Sequence, residues 1–547
     1  MRFVPTLVIV ILLGSSVLLS DNYYVGPDKD HENIGDVPWE NLMPGDSVLI
    51  YPRDEAYKEK WVICRVGTEA EPIVVKGIID AEGNLPVIDG RNATTRPELN
   101  FWNEERGVIK IGGANKPADT TPEYIILENL DIRSGRPPFK FSGRNGETSY
   151  VKNCAAVYIE KGKHIVVRNC ILHDCGNGLF SGGEDIVVEY THIYDNGIEE
   201  SWYEHNNYTE ADGILFQYNY FGPLRDACDG NNLKDRSRGT IIRYNFIEDG
   251  NRQLDLVDTG KELFYTSEKY RSTFVYGNIL TEHDGEGNSQ IIHYGGDSGD
   301  EIRYRKGTLY LHHNTIISYR PGNATLVRLS SEDETCDARN NIIYTIASGN
   351  KFAMIGDQGT LNLRNNFIKP DWVISHGNTD GTVNTENNIG QNDPGFVNFD
   401  ETDFHLSEES LCVNSGAYLD AKIIEEYSPQ YHYIHERLRE PRKDIGMPDI
   451  GAYAYDIPAG IKDISSSDNI NIYPHPVCDE LIIKANSADK IEVLNVNGKI
   501  LKTISTNSAD EIRIDCRAMD LIPGVYFVRI YEFGGVVKTG KFVFVGR

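Results

Sequence analysis

Apolar residues in the middle of this chain come in short runs that repeat one phrase: one or two aliphatics, often a basic residue, an asparagine, then a second aliphatic pair. It reads Val166-Val-Arg-Asn-Cys-Ile171, Leu215-Phe-Gln-Tyr-Asn-Tyr-Phe221, Ile241-Ile-Arg-Tyr-Asn-Phe-Ile247, Phe274-Val-Tyr-Gly-Asn-Ile-Leu280, Leu309-Tyr-Leu-His-His-Asn-Thr-Ile316, Ala338-Arg-Asn-Asn-Ile-Ile343 and Leu361-Asn-Leu-Arg-Asn-Asn-Phe-Ile368. Val187-Val-Glu-Tyr-Thr-His-Ile193 is the same phrase with Thr191 at the asparagine. Asn219, Asn245, Asn278, Asn314, Asn341 and Asn366 follow one another at 26, 33, 36, 27 and 25 residues. No middle stretch sustains the period of an amphipathic helix. A period near 25 predicts a parallel β-helix, whose coils add short strands to stacked sheets while asparagines in left-handed corners bond from coil to coil. Propeller blades would need ~40–50 residues each. Ile171, Ile193, Phe221, Ile247, Leu280, Ile316, Ile343 and Ile368, two residues beyond each marked Asn or Thr, are expected to point into one core. Spacings above 27 predict inserted loops.

The two ends read differently. Met1-Arg2 followed by an apolar run from Leu7 to Leu19, with Gly14, Ser15, Ser16 and Ser20, has the charged start and short core of a secretory signal peptide over residues 1–20. No later stretch approaches the ~20 apolar residues of a membrane helix. Residues 470–547 carry alternating apolar runs separated by Asn-Gly and Pro-Gly, which predict a small β-sandwich. With its Asn471-Ile-Tyr-Pro-His-Pro-Val477 opening, its Asn497-Gly-Lys499 turn and its Gly524-Val-Tyr526 strand, this segment resembles the C-terminal sorting domain of the type IX secretion system. His475 stands where that family has Asn. The resemblance implies export, delivery to the type IX machinery, and a secreted or surface-attached product. An immunoglobulin-like accessory module is the alternative. Residues 21–455 then form the solenoid and 456–469, with Ser465-Ser-Ser467, the linker.

Composition narrows the partners. A net charge of −28 disfavours nucleic acid by repulsion of phosphates. Nine cysteines are too sparse for a disulfide scaffold and odd in number; Cys170 and Cys175 could bridge, though buried thiols are the simpler expectation.

Within this acidic chain Lys234, Arg236, Arg238, Arg243 and Arg252 fall in 19 residues. Alignment of Asp212-Gly-Ile-Leu-Phe-Gln-Tyr-Asn219 with Arg238-Gly-Thr-Ile-Ile-Arg-Tyr-Asn245 puts Arg238 beside Asp212, and the following segments put Lys234 beside Asp255. The cluster is expected on one outer face, as a receptor for a polyanion or as a solvated ion-pair ladder with Asp212, Asp235 and Asp255. Residues 198–211 interrupt the repeat one coil earlier; Trp202, Tyr203 and Tyr208 could stack on sugar rings or cap exposed sheet, and His205 could donate to a hydroxyl.

Gly230-Asn-Asn-Leu-Lys-Asp-Arg-Ser237, Thr240-Ile-Ile-Arg-Tyr-Asn245 and Leu254-Asp-Leu256 resemble the catalytic coils of secreted β-helix polysaccharide lyases of the alginate lyase and chondroitinase B-like group. Residues 21–95 and 392–455 are similar to the opening and closing coils of such proteins. The resemblance implies an all-β, right-handed, pectate lyase-like solenoid, with Lys234 as base and calcium held by acids just before it, for which Asp226 and Asp229 are the candidates. The family's Arg after Leu-x-Leu is replaced by Val257, leaving Arg252 nearby as the candidate acid. Elimination across C4–C5 of a uronate needs its carboxylate neutralised, and crowding by Arg236 and Arg238 would make Lys234 a better base. Arg236, Arg238, Arg243, Trp202, Tyr203 and His205 are the expected contacts to an acidic polysaccharide. A hydrolase using two of Asp212, Asp229, Asp255 and Asp258, or a noncatalytic glycan-binding adhesin, are the alternatives.

Overall fold

The computed structural model describes residues 20–455 other than 286, 421–422, 424–425 and 445, and residues 471–545 other than 474–476, 478, 496–498, 520, 522–523 and 533–536. The expected leader, apart from Ser20, and the expected linker lie outside these residues, as do His475 and Asn497. The chain packs as two compact units that divide between Tyr455 and Asp456.

Three long sheets build the first unit. Sheet A has 13 strands, from Asn22–Val25 to Thr382–Glu386; sheet B has 11, from Val87–Asp89 to Ile389–Gly390; sheet C has 13 and ends at Phe352–Asp357. Pairing within these three sheets is parallel, with one antiparallel hairpin, Lys140–Gly143 with Gly146–Ser149, at the edge of sheet C; a separate small antiparallel pair joins Asn100–Phe101 to Ala114–Lys116. The period-2 alternation read in the sequence accounts for this. In sheet A, Ile125 and Leu127 lie beside Ile165 and Val167, then Ile186 and Val188, then Ile214 and Phe216, all buried. These rows merge into one apolar core. The fold is a parallel β-helix.

In sheet B the row Leu172, Ile193, Phe221, Ile247, Leu280, Ile316, Ile343, Ile368 is in register and points inward. Seven of its members are those expected; Ile171 is displaced by one and pairs with His192 on the outer side. The reason is that Asn169 is itself the left-handed corner residue (φ 48°), and Cys170 takes the position next to Thr191.

The asparagines form a ladder. Asn219 Nδ2 donates to Asn245 Oδ1 at 2.9 Å, and the same bond continues through Asn278 (2.9 Å), Asn314 (3.0 Å), Asn341 (3.0 Å), Asn366 (2.9 Å) and Asn388 (3.1 Å). Each acceptor oxygen also takes the backbone N–H of the rung below, as at Asn245 and Asn278. The left-handed residue is not the ladder asparagine, as expected, but its predecessor: Tyr218, Tyr244, Gly277, His313, Asn340 and Asn365 have φ of 58, 55, 65, 52, 54 and 53°. That turn drives the asparagine side chain inward, where it is fully buried and every polar atom needs a partner. Asn278→Ala is therefore expected to cost about 3 kcal/mol, because the Asn245 amide and the Ile242 carbonyl lose their partners in the core. Chemical denaturation measures it.

Residues 392–455 are not closing coils. They form two antiparallel pairs, Phe396–Asn398 with Asp403–Leu406 and Tyr431–Ile434 with Leu438–Pro441, that fold back on the outside. Phe404, Tyr433 and Tyr453 cover Phe246, Ile279 and Ile317 of sheet B, while Tyr427 stacks on Phe274 of sheet A at 3.5 Å. Beside this strap, Glu282 is buried, accepting from Ser318 Oγ at 3.0 Å with Arg320 at 3.6 Å. Burial pushes its carboxyl up to about 7. The folded state then holds a proton that the unfolded chain releases near pH 4.3, so stability should fall as pH rises from about 4.5 to 7, by on the order of 3 kcal/mol. Glu282→Gln should flatten that slope in thermal melts at pH 5 and 8.

The eight described cysteines, Cys170 and Cys175 included, are free thiols. The second unit pairs Glu480–Asn495 antiparallel with Ile500–Asp515 and with Gly524–Glu532, which in turn pairs with Val537–Phe544. It has its own core, including Val477, Leu481, Ile483, Val493, Val528, Ile530 and Phe542. No helix among the described residues is long and apolar enough to cross a membrane.

Candidate active site

The outer face of sheet C carries one side-chain row: Lys110, Tyr158, Phe180, Tyr208, Lys234, Asp255, His293 and Arg328, each beside the next. Its aromatic stretch is stacked, Tyr158 on Phe180 and Phe180 on Tyr208, both at 5.2 Å. Beyond Tyr208 the row turns ionic and opens into a cavity of about 630 Å³ lined by Trp202, Tyr203, His205, Tyr208, Asn231, Lys234, Arg236, Asn251, Arg252, Asp255 and Asp297. A larger, mostly apolar groove of about 830 Å³ runs along sheet A past Ile126, Val166, Val187 and Leu215. Its charged lining residues, Glu69, Asp185, Glu268, Lys269 and Glu426, are mostly acidic, unlike the cations of the sheet C cavity.

Lys234 is only 7% exposed, not a surface cation. Its Nζ contacts Asp255 Oδ2 and, at 2.7 Å, Asp297 Oδ2. Asp255 is buried and saturated: Asn231 Nδ2 donates to Oδ2 at 2.8 Å, His293 Nδ1 lies 2.8 Å from Oδ1, and Arg252 Nη1 lies 3.6 Å from it. Against its desolvation, Lys234 above all holds the Asp255 carboxyl well below the usual range. His293 Nε2 continues to Ser330 Oγ at 2.8 Å. Arg236 reaches Tyr208 Oη at 3.1 Å, the Asp258 carbonyl, and both oxygens of Asp297 at 3.1 and 3.3 Å. Arg252 donates to Gln290 Oε1 at 2.8 Å, and burial lowers its hold on its proton. His205 Nδ1 accepts the Asn231 amide at 2.9 Å, so the neutral ring carries its proton on Nε2. Burial, with Lys234 next, pushes its pKa down to about 3 and keeps it neutral.

Six sequence candidates thus meet in one cavity: Lys234, Arg236, Arg252, Trp202, Tyr203 and His205. Trp202 and Tyr203 are 59% and 79% exposed, so they rim the cavity and do not cap the sheet; Tyr208 does. Arg238 and Arg243 lie elsewhere. The chain turns a corner at Ser237 into sheet A, where Arg238 pairs with Asp212 at 2.7 Å and Arg243 with Gln217 at 2.7 Å and Tyr276 at 3.0 Å. The expected single face is thus two faces, and Lys234 is not crowded by Arg238. Asp235 is no ladder member either: it points into the core and binds Arg305, itself fully buried, at 2.9 Å.

Asp226 is exposed and Asp229 half-buried on the turn after Arg225. Among the described residues the one group of three close ligating side chains is Glu248, Asp249 and His283, which includes neither. With Asp226 exposed and no third ligating side chain grouped with the pair among the described residues, the turn does not present the converging oxygen set that calcium takes.

Comparison with known proteins bears on one unit directly. Residues 471–544 match the family "Secretion system C-terminal sorting domain". This address marks the chain for export through the type IX machinery, to the medium or the cell surface. No curated protein sequence matches the chain. Among solved structures it is similar to pectate lyase Pel9A (12% identity, 81% of this chain and 98% of that one, TM-score 0.45). It is also similar to the GH136 lacto-N-biosidase from Eubacterium ramulus (12% identity, 68% of each chain, TM-score 0.44). A third is the PL6 family polysaccharide lyase Pedsa3628 from Pseudopedobacter saltans (11% identity, 69% and 95%, TM-score 0.33).

Sequence reasoning missed Asp297, His293 and Asn231. His293 had a signal: Leu233-Lys-Asp235, Leu254-Asp-Leu256, Ile292-His-Tyr294 and Val327-Arg-Leu329 each place one polar residue between two inward ones, the pattern of a third sheet with a functional outer row. Asp297 sits in an insert with no repeat to flag it.

Proposed function

We propose that this exported chain is a polysaccharide lyase that cleaves a uronic-acid-containing glycan by β-elimination in the sheet C cavity. The observation that carries this reading is the convergence there of one amine, two guanidiniums, a neutral imidazole and two exposed aromatic rings. Arg236 pairs with the uronate carboxylate, which makes the C5 proton removable. Lys234 Nζ, as the neutral amine left once its ammonium has given a proton to solvent, takes that proton, aimed by Asp255. The C5–H electron pair becomes the C4–C5 double bond as the C4–O bond breaks, and Arg252 donates a proton to the departing oxygen. His205 Nε2–H binds a sugar hydroxyl, and Trp202 with Tyr203 stacks on the flanking rings.

A glycosidase would need one protonated and one ionised carboxyl group in the cleft. Asp255 and Asp297 both bond the Lys234 ammonium, and in both, against desolvation, Lys234 lowers the carboxyl's hold on its proton. Neither of these two carboxyl groups is then placed to be the proton donor of a hydrolase, which supports elimination. The test is the full chain on alginate, pectate and glycosaminoglycans: new reducing ends should appear together with the ultraviolet absorbance of an unsaturated uronate. Reducing ends without that absorbance would mean hydrolysis, and binding without either a passive adhesin.

A further inference from the structure

One carboxylate in the cavity differs from the others in how it is held. Asp255 and Asp258 have side chains 1% and 3% exposed and are fixed on or beside sheet C, whereas the Asp297 side chain is 36% exposed. Asp297 sits in the turn Gly295-Gly296-Asp297-Ser298-Gly299, inside the insert that stretches the Asn278–Asn314 spacing to 36 residues. Gly295 and Gly299 there have φ of 135 and 80°, backbone that favours glycine. The backbone anchor of Asp297 is its N–H donating to Asp258 Oδ1 at 2.8 Å. Its carboxylate nonetheless makes the contacts an anionic ligand would make: Lys234 Nζ at 2.7 Å and Arg236 Nη2 at 3.1 and 3.3 Å. A planar carboxylate bridging an ammonium and a guanidinium, open to solvent on its far side, is a geometry that any carboxylate can reproduce.

We infer that Lys234 and Arg236 form an exchangeable carboxylate subsite, which Asp297 fills in the free protein and the carboxylate of an acidic glycan takes over on binding. This rests on the reading of the cavity as a site for a uronate polymer, and it adds to that reading the group that must leave first. Exchange keeps the charge balance: one anion goes out to solvent on its glycine-flanked turn as another comes in, so the two cations are never left without a counter-charge. Affinity is then lowered by the fraction of time Asp297 occupies the subsite, and an occupancy of about nine-tenths would mean about tenfold.

Calorimetry of the full chain with short oligomers of galacturonate, of mannuronate and guluronate, and with neutral cellotriose tests this. Asp297→Ala should bind at least one acidic oligomer about tenfold more tightly than the natural chain, and cellotriose unchanged. Asp297→Asn, which keeps size but not charge, should behave alike, with thermal melts confirming that both variants are folded. No gain for any acidic oligomer in either variant, or an equal gain for cellotriose, overturns the subsite. A gain in acidic binding without cleavage of any polymer keeps the subsite and removes the lyase; cleavage with no gain does the reverse.

Discussion

Lys234→Ala is expected to lower turnover on the cleaved polymer by about 10²-fold or more, the scale on which loss of a general base is felt. It will not be a silent surface change. Asp255 is buried, and removing its ammonium partner leaves a carboxylate held by Asn231, His293 and Arg252 alone. Breaking a buried pair costs 3–5 kcal/mol as a rule, and those three remaining partners put this case at about 3. Activity and stability therefore have to be measured together. Lys234→Arg separates them: it keeps a cation beside Asp255 and most of the stability, yet a guanidinium at rest near neutral pH stays protonated and offers no lone pair to act as the base, so turnover should stay low. Natural turnover in the folded Arg variant would remove Lys234 as the base.

Deleting residues 470–547 should abolish delivery outside the cell while leaving the solenoid folded and active in the periplasm of a type IX host. The two units have separate apolar cores with no residue in common, so the core of the first is complete without the second. The matched address lies wholly within the deleted segment. Fractionation followed by a melt of the retained protein decides it: normal release of the truncated chain refutes the address, and an unfolded product refutes the independence.

The solenoid was legible because its physics is periodic. A buried asparagine that hands one of its bonds to the next coil's asparagine has to recur at each coil, and the rows beside it have to alternate. Where a coil breaks the rule, the reading slips by one residue, as at Asn169 and Cys170. The cavity was half legible for the opposite reason. Sheet C strands such as Leu233–Asp235 are three residues long and bury polar groups, so Asp235 looked like a surface charge until Arg305, 70 residues on, was found beside it. One corner at Ser237 sends neighbouring cations to different faces, and nothing in a run of Lys and Arg marks a corner. Asp297 belongs to a turn whose position is set by tertiary contacts to Asp258, Lys234 and Arg236.

The asparagine ladder has a consequence for how such a molecule can change over evolutionary time. Each rung bonds the rungs before and after it and the carbonyls of the adjoining strands, so the pitch of the stack is set there and is indifferent to the length of chain between rungs, which ranges here from 22 to 36 residues. The segments that furnish the cavity, Arg252 and Asp255 between one pair of rungs and His293 and Asp297 between the next, behave as cassettes clipped onto a fixed spine. What the cavity binds can then be rewritten by swapping one inter-rung segment while the spine that carries it stays unaltered.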